Sequence, residues 1–191
     1  MSLVIAEIKD GVVYMGADTQ VSSGETKRNL TTEPNLKITR MPHGILLGKV
    51  GAVRVSNILI NFKEWFEPLE HQPLTKEFLV TKIMPKFYNE LKKRELLSRE
   101  HIAGFEGSFL IAQKDKLFLI NGNFTVNEVP RFDAIGAGND AAYTTYQLLP
   151  NASVREKMLT SLRLASEYDT SISAPYAFCD TKSLEIELVE E

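Results

Sequence analysis

Short runs of apolar and β-branched residues occupy both ends and the middle of the chain, and stretches with apolar residues at helical spacing lie between them. Runs of this kind, bounded by Gly, Pro, Asn, Asp or Ser, are typical of β-strands. The strands that the pattern predicts cover residues 3–8, 12–17, 36–40, 45–50, 107–113, 116–121, 125–130, 132–136, 176–180 and 184–189. The predicted strands therefore fall into three groups along the sequence.

Several gaps between the predicted strands are short enough to be hairpin turns. Asp10-Gly11 separates the first two runs, and Asp-Gly is a favoured dipeptide for a tight hairpin. Residues 41–44 and 114–115 separate two further pairs of runs in the same way. The polar residues 22–34 are predicted to be a loop or an exposed ribbon.

Helical spacing of apolar residues begins after Gly51 and resumes at residue 74. Pro68 is expected to end the first helical pattern, because proline lacks the backbone N–H that a helix interior needs. The second pattern runs to about residue 97, and Pro85 is expected to kink or break it. The sequence therefore predicts two helices between the first and second groups of strands.

Two more helices are predicted over residues 139–149 and 153–168, the second starting with a capping box made by Ser153 and Glu156. The order of strands, two helices, strands, two helices and strands argues against alternating βαβ units and a parallel sheet. Two antiparallel sheets packed face to face, each covered by one helix pair, would bury every apolar face. The predicted fold class is α+β, a four-layer αββα sandwich in which residues 1–191 form one domain.

Composition narrows the function classes further. The net charge is −3 and no long basic run is present, so nothing favours a nucleic-acid partner. No stretch of about 18 apolar residues could span a bilayer, and the start has no basic segment before its apolar run, unlike a secretory signal. The single cysteine, Cys179, excludes an internal disulfide and points to a reducing compartment. A cytoplasmic location is therefore expected.

Four local motifs, in this order and spacing, resemble the β-type subunits of the proteasome and the bacterial HslV-type peptidase. Residues 12–20 (VVYMGADTQ) resemble the family's second strand, and residues 36–38 (LKI) resemble its lysine-bearing strand. Residues 47–51 (LGKVG) resemble the strand and glycine turn before its first helix, and residues 134–138 (AIGAG) its Gly-Ser-Gly turn. The resemblance implies the αββα fold and hydrolysis by an N-terminal nucleophile.

The first residues suit that chemistry if the initiator Met1 is removed. Ser2 would then carry a hydroxyl and a free α-amine, whose pKa of about 7.7–8.0 in peptides lets it accept the hydroxyl proton near neutrality. One residue would thus supply nucleophile and base, so a histidine is not needed. Met-Ser-Leu is also a common cloning remnant, in which case another residue occupies the native nucleophile position.

The resemblance assigns further roles by position. Lys37 would lie beside the Ser2 hydroxyl and lower the pKa of the amine, and Asp18 would pair with Lys37. Gly51 would donate its backbone N–H to the developing oxyanion, and Asp169 would orient the amine. Together with Ser2, these residues are the predicted catalytic set. Each has a plainer interpretation as a turn residue, a cap, a solvated strand residue or a helix end.

Lys49 is predicted to bind substrate, because its position in the family lies in the pocket for the residue on the acyl side of the scissile bond. A lysine there would favour an acidic or polar side chain. The sequence departs from the family at Ala137, where a serine is usual, and at Ile172, where a second supporting serine is expected. Ser171 and Ser173 flank Ile172 and could replace that serine if the backbone shifts.

Three functions remain open on this basis. The first is a peptidase in a homo-oligomeric ring, acting on peptides or unfolded proteins, with an ATP-dependent unfoldase as a candidate partner. The second is a catalytically inactive subunit that keeps the fold for assembly, which Ala137 and Ile172 favour. The third is a small-molecule amidase of the same superfamily. None of these requires a metal or an organic cofactor.

Overall fold

The strands of the described residues form two large sheets and one short ribbon. The structure, a computed structural model, describes residues 2–23, 26–33, 35–98 and 103–190. Within these ranges the strands are β1 (Leu3–Lys9), β2 (Val12–Asp18), β3 (Gln20–Ser23), β4 (Thr26–Asn29), β5 (Ile38–Met41), β6 (Ile45–Gly51), β7 (Gly107–Gln113), β8 (Lys116–Ile120), β9 (Val126–Glu128), β10 (Phe132–Gly136), β11 (Tyr176–Asp180) and β12 (Glu187–Val189).

The helices fall into two groups that separate the strands. They are α1 (Val53–Asn61), α2 (Lys76–Phe78), α3 (Met84–Lys93), α4 (Asn139–Leu148) and α5 (Val154–Tyr168). A 3₁₀ segment, Lys63–Glu70, follows α1, and a π turn, Leu79–Ile83, joins α2 to α3. Ser153 caps α5 by accepting a hydrogen bond from the Glu156 amide, as the capping signal predicts.

Two five-stranded antiparallel sheets and one two-stranded ribbon account for the named strands of the described residues. The first sheet has the order β10-β1-β2-β11-β12, and the second has the order β5-β6-β7-β8-β9. The ribbon consists of β3 and β4 and continues directly from the end of β2. The hairpins predicted between β1 and β2, β5 and β6, and β7 and β8 are confirmed by their antiparallel registers.

Three hydrophobic clusters show where the apolar faces are buried. One cluster lies between the sheets and includes Val4 and Met15 from the first sheet and Leu46 and Leu110 from the second. Another joins the opposite face of the second sheet to α1–α3, and the last joins the opposite face of the first sheet to α4 and α5. Because successive strand residues face opposite sides, each sheet contributes to two clusters. This arrangement is consistent with the predicted αββα sandwich.

Several predicted boundaries differ from the structure, among them those at two prolines and at the last strand. Helical turns continue through Pro68 to Glu70, in a 3₁₀ segment that contains the proline. The helical path also passes Pro85 without breaking, because the Met84 amide donates to the Leu79 carbonyl in the π turn and Pro85 then lies in the first turn of α3. The last strand is limited to Glu187–Val189 and does not begin at residue 184.

Among the residues that the structure describes, no helix is long and apolar enough to cross a membrane. The same residues contain no group of three or more His, Cys, Asp or Glu side chains that could hold a metal ion.

Candidate active site

A cavity of about 800 Å³ lies where the start of β1, the end of β6 and the ribbon come together. Its walls include Ser2, Lys37, Lys49 and Gly51, which are four of the residues singled out by the sequence. Gln20, which the sequence did not single out for a role of its own, also lines it. The cavity is therefore the place where the predicted chemistry can be examined.

Two glycines allow the backbone to pack closely around this cavity. Gly136 has a φ of +103°, and a Cβ placed on it would lie 2.0 Å from the Ser2 carbonyl oxygen. Gly51 has a φ of +99°, and its Cβ would lie 2.3 Å from the Gly107 Cα. No side chain fits at either position. The chain start and the end of β6 hold their places because these residues are glycines.

Asp18 and Lys37 form a buried ion pair, in which Lys37 lines the cavity and Asp18 does not. The Lys37 Nζ lies 2.6 Å from Asp18 Oδ2, and the two side chains are 7% and 0% exposed. Asp18 also accepts hydrogen bonds from the Leu3 amide at 2.9 Å and the Gln20 amide at 3.1 Å. The carboxylate therefore links the lysine to the first residues of β1, next to Ser2.

The environment of this pair moves each group toward its neutral form. Burial raises the pKa of Asp18, while the Lys37 charge and the hydrogen bonds to the carboxylate oppose that change. Burial likewise lowers the pKa of Lys37, and the nearby carboxylates of Asp18 and Asp169 oppose the change. A proton is therefore easier to remove from Lys37 than from a lysine in water.

Asp169 ends α5 and does not line the cavity, but its charge acts on Lys37. The Asp169 Oδ1 accepts hydrogen bonds from the Ser171 amide at 2.9 Å and the Ser171 hydroxyl at 2.5 Å. Burial alone would raise the pKa of Asp169, but the bonds from Ser171, together with the Lys37 charge, lower it overall. The carboxylate is therefore held in its ionised form.

The structure distinguishes the two serines that flank Ile172. Ile172 is 2% exposed and packs in the cluster beneath α4 and α5, so it has no polar role. Ser171 is the flanking serine that reaches Asp169, whereas Ser173 donates to the Asn29 side chain. Sequence register alone could not choose between them, because the turn after α5 decides which hydroxyl faces Asp169.

Lys49 lies on β6, two residues before Gly51, and its amide donates to the Lys37 carbonyl at 2.9 Å. Burial lowers the pKa of its side chain to about 8. The ammonium is therefore charged at neutral pH but loses its proton within the mildly alkaline range. A cationic group of this kind in the cavity wall can attract a carboxylate.

The ribbon contributes contacts that the sequence did not predict. The Gln20 side chain donates to the Thr170 carbonyl at 2.9 Å, and the Asn29 side chain donates to the Ala174 carbonyl at 2.6 Å. Gln20 is 2% exposed. The one available signal in the sequence for the role of Gln20 was its position directly after the buried strand β2, where a polar residue that remains buried needs a partner.

No protein-family model and no curated protein matches the chain. Solved structures do match it. The BPH protein of Thiobacillus denitrificans is 21% identical and aligns over 96% of this chain and 98% of its own, with a TM-score of 0.75. The eukaryotic HslV of Trypanosoma brucei is 15% identical over 99% of both chains, with a TM-score of 0.67. Anbu, an ancestral beta-subunit from Yersinia bercovieri, is 11% identical over 99% of this chain and 87% of its own, with a TM-score of 0.73.

Proposed function

For a chain with the HslV-like, proteasome-type fold, we propose the function of a cytoplasmic peptidase whose nucleophile is the Ser2 hydroxyl. The observation that carries the proposal is the buried Asp18–Lys37 pair, which is hydrogen-bonded to the Leu3 amide directly beside Ser2. The proposal includes the αββα sandwich as the layering of the fold. The proposal requires that Met1 is removed, since only then does Ser2 have a free α-amine.

The first half of the reaction forms an ester. The Ser2 Oγ attacks the carbonyl carbon of the scissile peptide bond while its proton passes to the Ser2 α-amine. The tetrahedral intermediate then collapses, the C–N bond breaks, and the leaving amine takes the proton from the α-ammonium. One peptide fragment departs and the other remains bound as an ester of Ser2.

The second half of the reaction releases that ester. A water molecule gives a proton to the Ser2 α-amine and attacks the ester carbonyl. The intermediate expels the Ser2 oxygen, which recovers the proton, and the fragment leaves as a carboxylic acid. Ser2 is thus restored, and no external acid, base or cofactor enters the balance.

The charged residues keep the amine in the form that this reaction needs. The Lys37 ammonium disfavours a second positive charge on the nearby Ser2 amine and so lowers the pKa of that amine. Asp18 keeps Lys37 in place through their 2.6 Å contact. Asp169 adds a negative charge that acts on Lys37, and we assign to it the orientation of the amine.

Gly51 is the donor that we assign to the oxyanion. Backbone N–H groups alternate along a strand, so the Gly51 amide points to the same side as the Lys49 amide. The Lys49 amide donates to the Lys37 carbonyl. Gly51 lies two residues further along the strand and lines the cavity. One donor aimed at the oxyanion is worth about 10²–10³ in rate.

Lys49 is the residue to which we assign substrate selection. Lys49 lines the cavity and its ammonium is partly shielded from water, which strengthens its attraction to a carboxylate. We therefore propose a preference for Asp or Glu on the acyl side of the cleaved bond. A neutral side chain of the same size would bind less well.

Removal of the nucleophile tests the function. Recombinant protein with Met1 removed, as shown by mass spectrometry, is assayed with fluorogenic peptides carrying Glu, Leu or Arg before the cleaved bond. Ser2→Ala is expected to reduce the rate by at least about 10³-fold, whereas Ser2→Thr keeps hydroxyl and amine and should remain active. Activity that survives in Ser2→Ala would assign the nucleophile to another residue.

A catalytically silent subunit is the second candidate, favoured by Ala137. This residue lines the cavity where the family has a serine, so one hydroxyl is missing next to Ser2. If this candidate is correct, correctly processed wild-type protein hydrolyses none of the peptides. Ala137→Ser would then be expected to restore measurable activity.

A further inference from the structure

Gln20 uses both its backbone and its side chain to connect two parts of the candidate site. Its amide donates to Asp18 Oδ2 at 3.1 Å, on the side of the buried ion pair. Its side-chain nitrogen donates to the Thr170 carbonyl at 2.9 Å, next to Asp169, and to the Ser22 hydroxyl at 3.0 Å. A buried amide that makes all of these bonds has one conformation, because any other would leave a polar group without a partner.

The turn that contains Asp169 is joined to the ribbon by the Gln20 side chain. The bonds of Asp169 to Ser171 lie within the turn, and the Asp169 amide donates to the Ala165 carbonyl of α5, so neither of these joins the turn to the ribbon and to Asp18. Residues 170–175 contain no helix or strand, and Asp169 itself is only partly buried. The Gln20 side chain is the bond nearest to Asp169 that joins this turn to the ribbon.

We propose that Gln20 is a positioning residue, which holds the Asp169 carboxylate at a constant place beside the Asp18–Lys37 pair. Gln20 itself takes no part in bond making or breaking. It acts through Asp169, whose negative charge supports the protonated form of Lys37. The inference rests on the proposed function for its catalytic consequence, but its electrostatic consequence can be measured without any turnover.

The chain offers a matched control for the test. Asn29 also donates its side-chain amide to a carbonyl of the same segment, at Ala174, and belongs to the same ribbon. Gln20→Met keeps the length and removes the donor next to Asp169, whereas Asn29→Ala removes a donor at the far end. Gln20→Asn is a milder variant that keeps the donor but shortens its reach.

The primary measurement is the pKa of Lys37. It is determined by NMR titration of the full chain with isotope-labelled lysine. Gln20→Met is expected to lower it by about half a unit, because the Asp169 charge moves away from Lys37. Gln20→Asn should lower it by less, and Asn29→Ala should leave it unchanged. If Gln20→Met does not fold, the Gln20→Asn result decides alone. A Lys37 pKa equal to the wild-type value in every folded Gln20 variant would overturn the proposal, as would an equal fall in Asn29→Ala.

Peptidase kinetics separate this inference from the proposed function. If the wild-type chain cleaves peptides, Gln20→Met should lower kcat about tenfold with a smaller change in KM, and should move the pH profile. If the wild-type chain is inactive, the proposed function fails while the Lys37 measurement still tests the role of Gln20. A fall in kcat with the Lys37 pKa unchanged would contradict positioning through Asp169.

Discussion

Gly136 leaves no space for a side chain where it passes the backbone of Ser2. Gly136→Ala would place a methyl group 2.0 Å from the Ser2 carbonyl oxygen at a φ of +103°. We expect a loss of stability of about 1–3 kcal/mol and a fall in activity of more than about 10²-fold, because the chain start moves. The measurements are urea unfolding and peptide hydrolysis.

A second glycine provides the control for that change. Gly44 also has a positive φ, of +73°, but a Cβ there meets nothing within 4 Å. Gly44→Ala should therefore cost only the backbone term of about 1 kcal/mol and leave hydrolysis intact. Equal activity in the two alanine variants would mean that the close approach to Ser2 does not matter.

Ser171 and Ser173 make a pair of predictions on the turn after α5. Ser171→Ala removes a hydrogen bond that lowers the pKa of Asp169, so that pKa should rise. The acidic limb of the rate profile should then shift to higher pH, while activity at pH 7, where the carboxylate stays ionised, should change little. Ser173→Ala leaves Asp169 untouched and should match the wild type in a profile measured from pH 4 to 9.

Lys49 predicts a specificity that depends on pH. Since its pKa is about 8, the ammonium is present below that pH and lost above it. The ratio of kcat/KM for a Glu substrate over its Gln analogue should therefore fall as pH rises through about 8. In Lys49→Met the ratio should stay flat and lie near its alkaline value. A flat ratio in the wild type would remove Lys49 from substrate selection.

Individual residues differ in how far the sequence could place them. Ser2, Asp18, Lys37, Lys49 and Gly51 were predicted from motif position, because each lies on or next to a strand whose location follows from the hydrophobic pattern. Ser171 and Gln20 could not be found in this way, because their partners, Asp169 and Thr170, are brought to them by an irregular turn. Hydrogen bonds across such a turn leave no periodic signal in the chain.

Among the elements, helix α5 and strand β1 are joined by a second buried ion pair. The Lys157 Nζ lies 2.6 Å from Glu7 Oε1, each side chain is 3% exposed, and the ammonium lies 4.4 Å from the Tyr146 ring centroid. Neither group belongs to the cavity. Substitutions at this pair therefore test how much the ion pair contributes to holding helix α5 on the first sheet.

Breaking this pair on one side should destabilise the fold strongly. Lys157→Met leaves the Glu7 carboxylate buried without its partner, and we expect a loss of about 3–5 kcal/mol. The double variant Glu7→Leu with Lys157→Met removes both charges and should be more stable than Lys157→Met alone. Urea unfolding of the two single variants and the double variant gives the coupling between them. Additive losses would show that the two charges do not interact.

At this scale the sequence predicted most elements because apolar periodicity decides them. The hairpins and α4 and α5 follow that rule. The path through Pro85 does not, because the π turn at Leu79–Ile83 places Pro85 in the first turn of α3, where its missing N–H is not needed. A rule that considers proline alone therefore predicts a break where the chain continues.

The whole molecule is expected to function as a ring of identical chains. The proteasome-type fold supports this proposal, since the resemblance implies rings that enclose their sites. Native mass spectrometry should give a mass that is a large multiple of the 191-residue chain, and Ser2→Ala should give the same multiple. A monomer or dimer would favour the amidase that the sequence left open.

The Asp18–Lys37 pair has a consequence for the mechanics of the molecule. Asp18 ends a strand of one sheet, and Lys37 directly precedes a strand of the other, so their contact bridges the two stacked layers. A slip of one layer across the other by a single residue spacing, about 3.3 Å, would pull the charges apart with every strand still paired. Catalytic activity would therefore depend on the alignment of the two layers. It would be lost after such a slip even though both sheets remained intact.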